Sequence, residues 1–288
     1  MLRAWNRALL IGTAALAFAC PRGADAAWPQ LSSGPLQDNS FLLEEAYNQE
    51  AGVVQHIVNG VWDRESGDWL LSVSQEWPVP DARHQFSYTL LYQWAGDPES
   101  ETGIGPVQLN YRYQALTEDA HLPAVAPRLS VLLPTGTLAD EFGAGSTGVQ
   151  IGLPVSKQVT RHWEVNLNLG GTVFPSAEAP DDPGRREQLL DGSAAASVIW
   201  EPYDAINFLC EVLILQTEEI TRGGTAYHTH PLVNPAVRVG WNGPGGVQWV
   251  LGAGVPIGFG GDAGQLGVFL YLSIENAFTA AARRARDW

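Results

Sequence analysis

Val107-Gln108-Leu109-Asn110-Tyr111-Arg112-Tyr113-Gln114 alternates without a break: Gln108, Asn110, Arg112 and Gln114 are polar, and the residues between them are large and apolar. Successive side chains of a β-strand point to opposite faces, so the stretch reads as a strand with one wet and one greasy face. The rhythm recurs. In 85–94, Gln85, Ser87, Thr89 and Gln93 alternate with Phe86, Tyr88, Leu90, Tyr92 and Trp94. In 163–173, Glu164, Asn166, Asn168 and Thr172 alternate with Trp163, Val165, Leu167, Leu169 and Val173. A soluble sandwich could use such strands. Many of them behind an export signal, with aromatics recurring near strand ends, are the mark of a transmembrane β-barrel.

That export signal occupies residues 1–26. Arg3 and Arg7 precede an apolar run over 8–18 and the small-residue sites Ala17-Phe18-Ala19 and Ala24-Asp25-Ala26. The run is too short for a membrane span, and cleavage after Ala26 fits it. Cys20 leaves lipidation open as an alternative, although Ala17-Phe18-Ala19 matches a leucine-led lipobox poorly. Loss of residues 1–26, with three arginines and one aspartate, takes the net charge from −15 to −17. A chain this acidic is no nucleic-acid binder. Cys20 would leave with the signal, so Cys210 remains as a single thiol and no internal disulfide can form.

Beyond the signal no run of about 18 apolar residues occurs, which excludes helical spans and leaves a closed barrel as the way across a membrane. We expect an all-β fold, a closed antiparallel transmembrane β-barrel of about 12 strands. They lie near 52–62, 68–78, 84–95, 104–115, 124–134, 146–156, 160–174, 188–200, 204–217, 231–241, 246–257 and 264–275. The barrel then spans 51–276. Residues 27–50 form a periplasmic lead-in or a plug, in which Asn39 or Ser40 could cap a short helix. Residues 277–288, with Arg283, Arg284 and Arg286, form a periplasmic tail.

The connections test this plan, because barrels of this kind alternate long outer loops with short inner turns. Segments 95–103, 135–145, 175–187, 218–230 and 258–263 are the long ones, and 78–83, 157–159, 201–203 and 242–245 are tight. Only 116–123 is longer than an inner turn should be. The outer loops carry Asp97, Glu99, Glu101, Asp140, Glu141, Glu178, Asp181, Asp182, Glu187, Glu218 and Glu219. Such acids read either as solvated loop residues or as ligands for divalent cations that bridge lipopolysaccharide phosphates or crosslink the loops.

Leu132-Leu133-Pro134-Thr135-Gly136, then Phe142-Gly143-Ala144-Gly145-Ser146-Thr147-Gly148-Val149-Gln150 and Leu167-Asn168-Leu169-Gly170-Gly171, resemble the outer-membrane barrel transporters associated with the meta-pathway of phenol degradation. The resemblance in rhythm spans 50–275. It implies passage of small, often aromatic or hydrophobic, compounds across the outer membrane, and no catalytic residue carries over. Pro134 lacks a donor and Gly136 suits a tight turn, so the motif fits geometry as well as chemistry.

Alternation places seven charges in the lumen: Glu76, Arg112, Arg128, Glu164, Asp191, Glu211 and Arg238. They read either as a constriction that selects permeants or as a structural network in a filled lumen. Opposite signs there imply pairing, since a lone buried ion is costly. His228 and His230, on one side of an extended segment, could give two metal ligands, but no third is apparent. No Gly-x-Ser-x-Gly elbow marks a hydrolase. Trp62, Trp69, Trp77, Trp94, Trp163, Trp200, Trp241 and Trp249 fall on the outward face, several at strand ends.

The expectation is an outer-membrane, porin-like facilitator for small molecules, with no enzymatic activity, cofactor or metal. Its partners would be outer-membrane lipid and lipopolysaccharide, the barrel-assembly machinery and the permeant. The alternatives are a structural or adhesive barrel without a continuous pore and, behind it, an outer-membrane enzyme.

Overall fold

The structure, a computed structural model, describes residues 30–31, 36, 38–96, 102–136, 143–180, 182–260 and 265–286. The signal over 1–26 and the acids Asp97, Glu99, Glu101, Asp140, Glu141 and Asp181 lie outside these residues.

Twelve antiparallel strands close on themselves: β1 Val53–Asp63, β2 Trp69–Pro78, β3 His84–Trp94, β4 Gln108–Tyr113, β5 Arg128–Leu132, β6 Gly148–Thr160, β7 Trp163–Ala179, β8 Asp182–Tyr203, β9 Ile206–Thr221, β10 Gly224–Gly243, β11 Val247–Gly254 and β12 Gly267–Ala277. Each strand pairs with the next, and β12 returns to β1 in register from Gly267↔Asp63 to Ala277↔Val53. Closure leaves no long unpaired edge, the requirement for a sheet in lipid. Gln30–Leu31 adds a short piece beside β10 at Trp241 and Asn242. After β12 a helix, α1 Ala280–Arg286, is the tail expected from sequence. No described helix is long and apolar enough to cross a membrane. We call the end that holds the Gln30–Leu31 piece and α1 proximal, and the opposite end distal.

Burial follows the alternation. In β4, Gln108, Asn110 and Arg112 are buried in the barrel, whereas Leu109, Tyr111 and Tyr113 are exposed. In β12, Phe269 and Tyr271 point in and Leu270 points out. The outward tryptophans sit together across strands: Trp62 with Trp69, Trp163 with Trp200 and Phe208, and Trp241 with Trp249. Such ring clusters at strand ends match interfacial girdles.

Two expected outer loops are strand instead. Segments 175–187 and 218–230 are largely absorbed into the hairpins β7–β8 and β9–β10, which turn tightly at their distal tips. Pro175, at the start of the first of these segments, is accommodated by a register shift between Phe174 and Ala177. Above Gly192↔Gln216 the β8–β9 ladder ends. Side chains then take over, as Asp191 Oδ1 accepts the Glu218 amide (2.9 Å) and Glu218 Oε2 accepts the Leu190 amide (2.8 Å).

Candidate functional site

The lumen has two zones. Its distal half holds an apolar cluster beside polar side chains such as Gln93, Gln108 and Thr172: Phe269, Val61 and Leu70 are cross-strand neighbours on β12, β1 and β2, as are Phe174 with Leu189 on β7 and β8, and Leu213 with Leu232 on β9 and β10. With Leu91 and Leu132 these inward side chains form one packed cluster, each at most 6% exposed. The proximal half is polar and charged, and residues 36–50 run through it.

This segment enters at the proximal rim of β10, where Leu36 fills the space above Gly240. It rises to Phe41, whose ring stacks on Phe269 and Tyr271 at centroid distances of 5.2 and 4.9 Å. It then crosses to β4–β7 and descends to Glu50. No helix forms, contrary to the cap expected at Asn39 or Ser40. The reason is competition: barrel side chains, not helical carbonyls, take the amides. Glu211 Oε1 accepts the amides of Phe41 (2.8 Å) and Leu42 (2.9 Å). Asn168 holds both backbone groups of Glu44, accepting from its amide at 3.1 Å and donating to its carbonyl at 2.7 Å. The Ser156 hydroxyl accepts from the Ala46 amide at 2.7 Å, and Gln114 and Gln85 accept from those of Asn48 and Gln49.

Charge completes the fit, with three acids of the segment against three arginines of the wall. Fully buried Arg238 donates to the carbonyls of Asp38 (2.6 Å) and Asn39 (2.9 Å) and to Glu45 Oε1 (3.0 Å). Arg128 pairs with Glu44, which also lies 3.6 Å from Arg112. Arg112 donates to the carbonyls of Glu45 and Tyr47 and to Asn48 Oδ1. Asp38 Oδ1 accepts from Gln55 (2.6 Å) and from the Tyr271 hydroxyl (2.7 Å). Glu44 and Glu45 are thus ion-paired with arginines and Asp38 is held by neutral donors, so each buried charge is hydrogen-bonded, the condition under which it is tolerable.

All seven charges expected inside are buried in the wall. Arg112, Arg128, Glu211 and Arg238 touch the luminal segment directly. Glu76 accepts from Gln85 (2.6 Å), which itself holds the Gln49 amide, whereas Glu164 accepts from Asn166 (2.9 Å), which meets the segment through Ser156. Asp191 stands apart, on β8 where β9 diverges from it. Asn168, Ser156, Gln114 and Tyr271 were legible as inward positions but not as holders of the segment. Thr135, in the Pro-Thr-Gly motif, ties the ends of β4 and β5 by accepting from the Val107 amide (2.8 Å) and donating to the Gly105 carbonyl (3.1 Å). The motif there serves geometry. His228 and His230 face inward beyond the apolar zone, with rings 6.5 Å apart and His228 Nε2 3.9 Å from Glu219. No cluster of three metal-ligating side chains occurs among the described residues.

Comparison with solved structures supports the fold. A NanC porin superposes with a TM-score of 0.50 at 9% sequence identity, covering 76% of this chain and 97% of the porin. An outer membrane channel from Pseudomonas putida F1 gives 0.55 at 12% identity, covering 80% of this chain and 97% of the channel. No protein-family profile matches the chain. No curated protein matches it either.

Proposed function

We propose that this barrel resides in the outer membrane, passes small molecules with substantial apolar surface, and is stoppered in the state described by residues 36–49. The observation that carries the reading is the order of the two zones. Apart from Asp191 and Glu218, which are held on backbone amides near the distal rim, a permeant from the distal side meets Phe269, Val61, Leu70, Phe174, Leu213 and Leu232 before the buried arginines of the proximal half, and an apolar constriction repels ions and water. The shared architecture with outer-membrane channels supports the location, and the resemblance to transporters associated with phenol degradation implies aromatic permeants. Once the segment yields, Arg112, Arg128 and Arg238 lose its acids and line the path.

The test is transport by purified protein. Folded protein should fractionate with outer membranes and migrate differently on gels before and after heating. Wild type should conduct poorly in planar bilayers, and deletion of residues 28–49 should give discrete steps. In that deletion, Arg112→Ala, Arg128→Ala or Arg238→Ala should shift selectivity toward cations. Uptake of small aromatic acids into liposomes should exceed that of sugars of equal size. The tightly filled lumen favours a second reading, a structural barrel with no path through it. Folded protein that stays silent with and without residues 28–49 would establish that reading instead.

A further inference from the structure

Two features of the chain are surplus to a barrel and meet at one place. The first is the connection over 114–127. The other proximal turns, at 79–83, 161–162, 204–205 and 244–246, are far shorter. This one folds back on the wall, pairing Ala124 and Val125 with Ser156 and Val155 of β6, and bridging Leu116 to Val125. So braced, it presents Glu118, whose Oε2 accepts the Tyr47 hydroxyl at 2.6 Å and whose Oε1 accepts Lys157 Nζ at 2.9 Å and the Gln158 amide at 3.0 Å. The second is α1, which continues past the last strand. It packs Ala282 against Val53 and Ala277. Phe278 donates to the Gly52 carbonyl at 2.8 Å, and Gly52, at φ +80°, lies directly under the Thr279 side chain. Arg286 then reaches Glu275 (2.6 Å) and Glu50 (3.1 Å), while Glu275 also accepts from Gln49 Nε2 at 3.3 Å. Arg286 and Glu275 are only 13% and 7% exposed, so this pair fixes α1 on β12 and holds the guanidinium against the exposed Glu50.

Tyr47, Gln49 and Glu50 are the exit of the luminal segment. Both surplus elements therefore end on the same four residues, one from the β4–β6 side and one from the β12–β1 side. We propose that the 114–127 connection and α1 are paired clasps that lock residues 47–50, and that release of the luminal segment is set by them. This rests on the reading of that segment as a stopper, and it adds the control points.

The test uses the whole mature chain in liposomes, with Ser40→Cys as reporter in a Cys210→Ala background and a membrane-impermeant maleimide as probe. Heat-modifiable migration verifies the fold of each variant. Arg286→Gln and Tyr47→Phe should each raise the labelling rate roughly five- to thirtyfold, and together more, as expected when an equilibrium loses one modest contact. Arg286→Glu should do the same, and adding Glu50→Arg should restore slow labelling, because the new arginine faces Glu275 and the new glutamate. Wild-type labelling rates in folded Arg286→Gln/Tyr47→Phe protein would overturn the clasps. So would failure of the charge swap, which would assign the effect to loss of the helix. Deletion of residues 28–49 separates the two ideas: unchanged conductance rejects the stopper while labelling still judges the clasps, and raised conductance with wild-type labelling in the variants rejects the clasps alone.

Discussion

The ring of Phe41 occupies the space that a β-carbon on Gly252 would need. The glycine in β11 is thus a seat for the crest of the luminal segment. Gly252→Ala adds a methyl group into a filled site, a change that costs about 1–3 kcal/mol when neighbours must move. Gly252 keeps its ladder partners Arg238 and Tyr271, so the wall holds and the segment yields. We expect folded Gly252→Ala protein to open more often in single-channel recordings, and Phe41→Leu in the same chain to reduce that opening. An unchanged open probability would show that the ring shifts without loosening the segment.

Glu211 gives a graded test. Removing its carboxylate by Glu211→Ala strands two buried amides and should cost about 2–6 kcal/mol, at about 1–3 kcal/mol per unsatisfied group. Glu211→Gln should be mild. Its oxygen can still accept from Phe41 and Leu42, and its new amide group can donate to Asn234 Oδ1, which has no protein partner in the structure, if the Asn234 amide turns over. Equal losses of denaturation midpoint in the two variants would rule out this account.

The two faces of the wall should respond oppositely. Leu109→Arg and Leu167→Arg place charge on the outward surface and should cost about 2–4 kcal/mol near the bilayer midplane. Asn110→Ser should cost under about 1 kcal/mol, since Asn110 makes one bond, to Ser87, and its carbonyl oxygen has no protein partner. Asn168→Ala differs from both, because it frees both backbone groups of Glu44 and should raise labelling of the segment more than it lowers barrel stability. Urea titration in liposomes, followed by tryptophan fluorescence, measures the stability terms.

Acid should loosen one clasp. Partial burial pushes the Glu118 carboxyl up, but bonds from Tyr47, Lys157 and the Gln158 amide outweigh it and hold the group below its ordinary value. A carboxyl depressed on folding contributes stability that is complete above its unfolded pKa, about 4.3, and is lost as pH falls through the lower folded value. Labelling of Ser40→Cys, divided by the rate of a fully exposed cysteine at the same pH to remove the loss of thiolate, should therefore rise as pH drops from about 5 toward 3. In Glu118→Gln it should already be fast at neutral pH and respond less to acid. Parallel pH profiles in the two proteins would remove Glu118 from the clasp.

The wall was legible because a β-strand in lipid has a period of two, and that period alone assigned inward positions to Arg112, Arg128, Glu164, Glu211 and Arg238. It failed where both faces are wet. Along 180–190 and 218–230 the polar contrast between neighbours fades while backbone pairing continues, so Arg185, Glu187, His228 and His230 looked like loop residues. It also could not supply partners. Residues 38–50 have no period, and their bonds go to wall side chains such as Asn168, Glu211, Arg238 and Tyr271, up to 233 positions away. Only the balance of Asp38, Glu44 and Glu45 against three luminal arginines hinted that the two belong together.

Glu50 lies just before β1, and Glu275 and Arg286 lie in and after β12, so the group they form joins the two ends of the barrel's chain. Pairing of β1 with β12 is what brings these ends within reach. The triad is consequently a record of completed assembly: a chain that has not zipped its final seam, or has lost its last helical turn, has nothing with which to bolt its own interior.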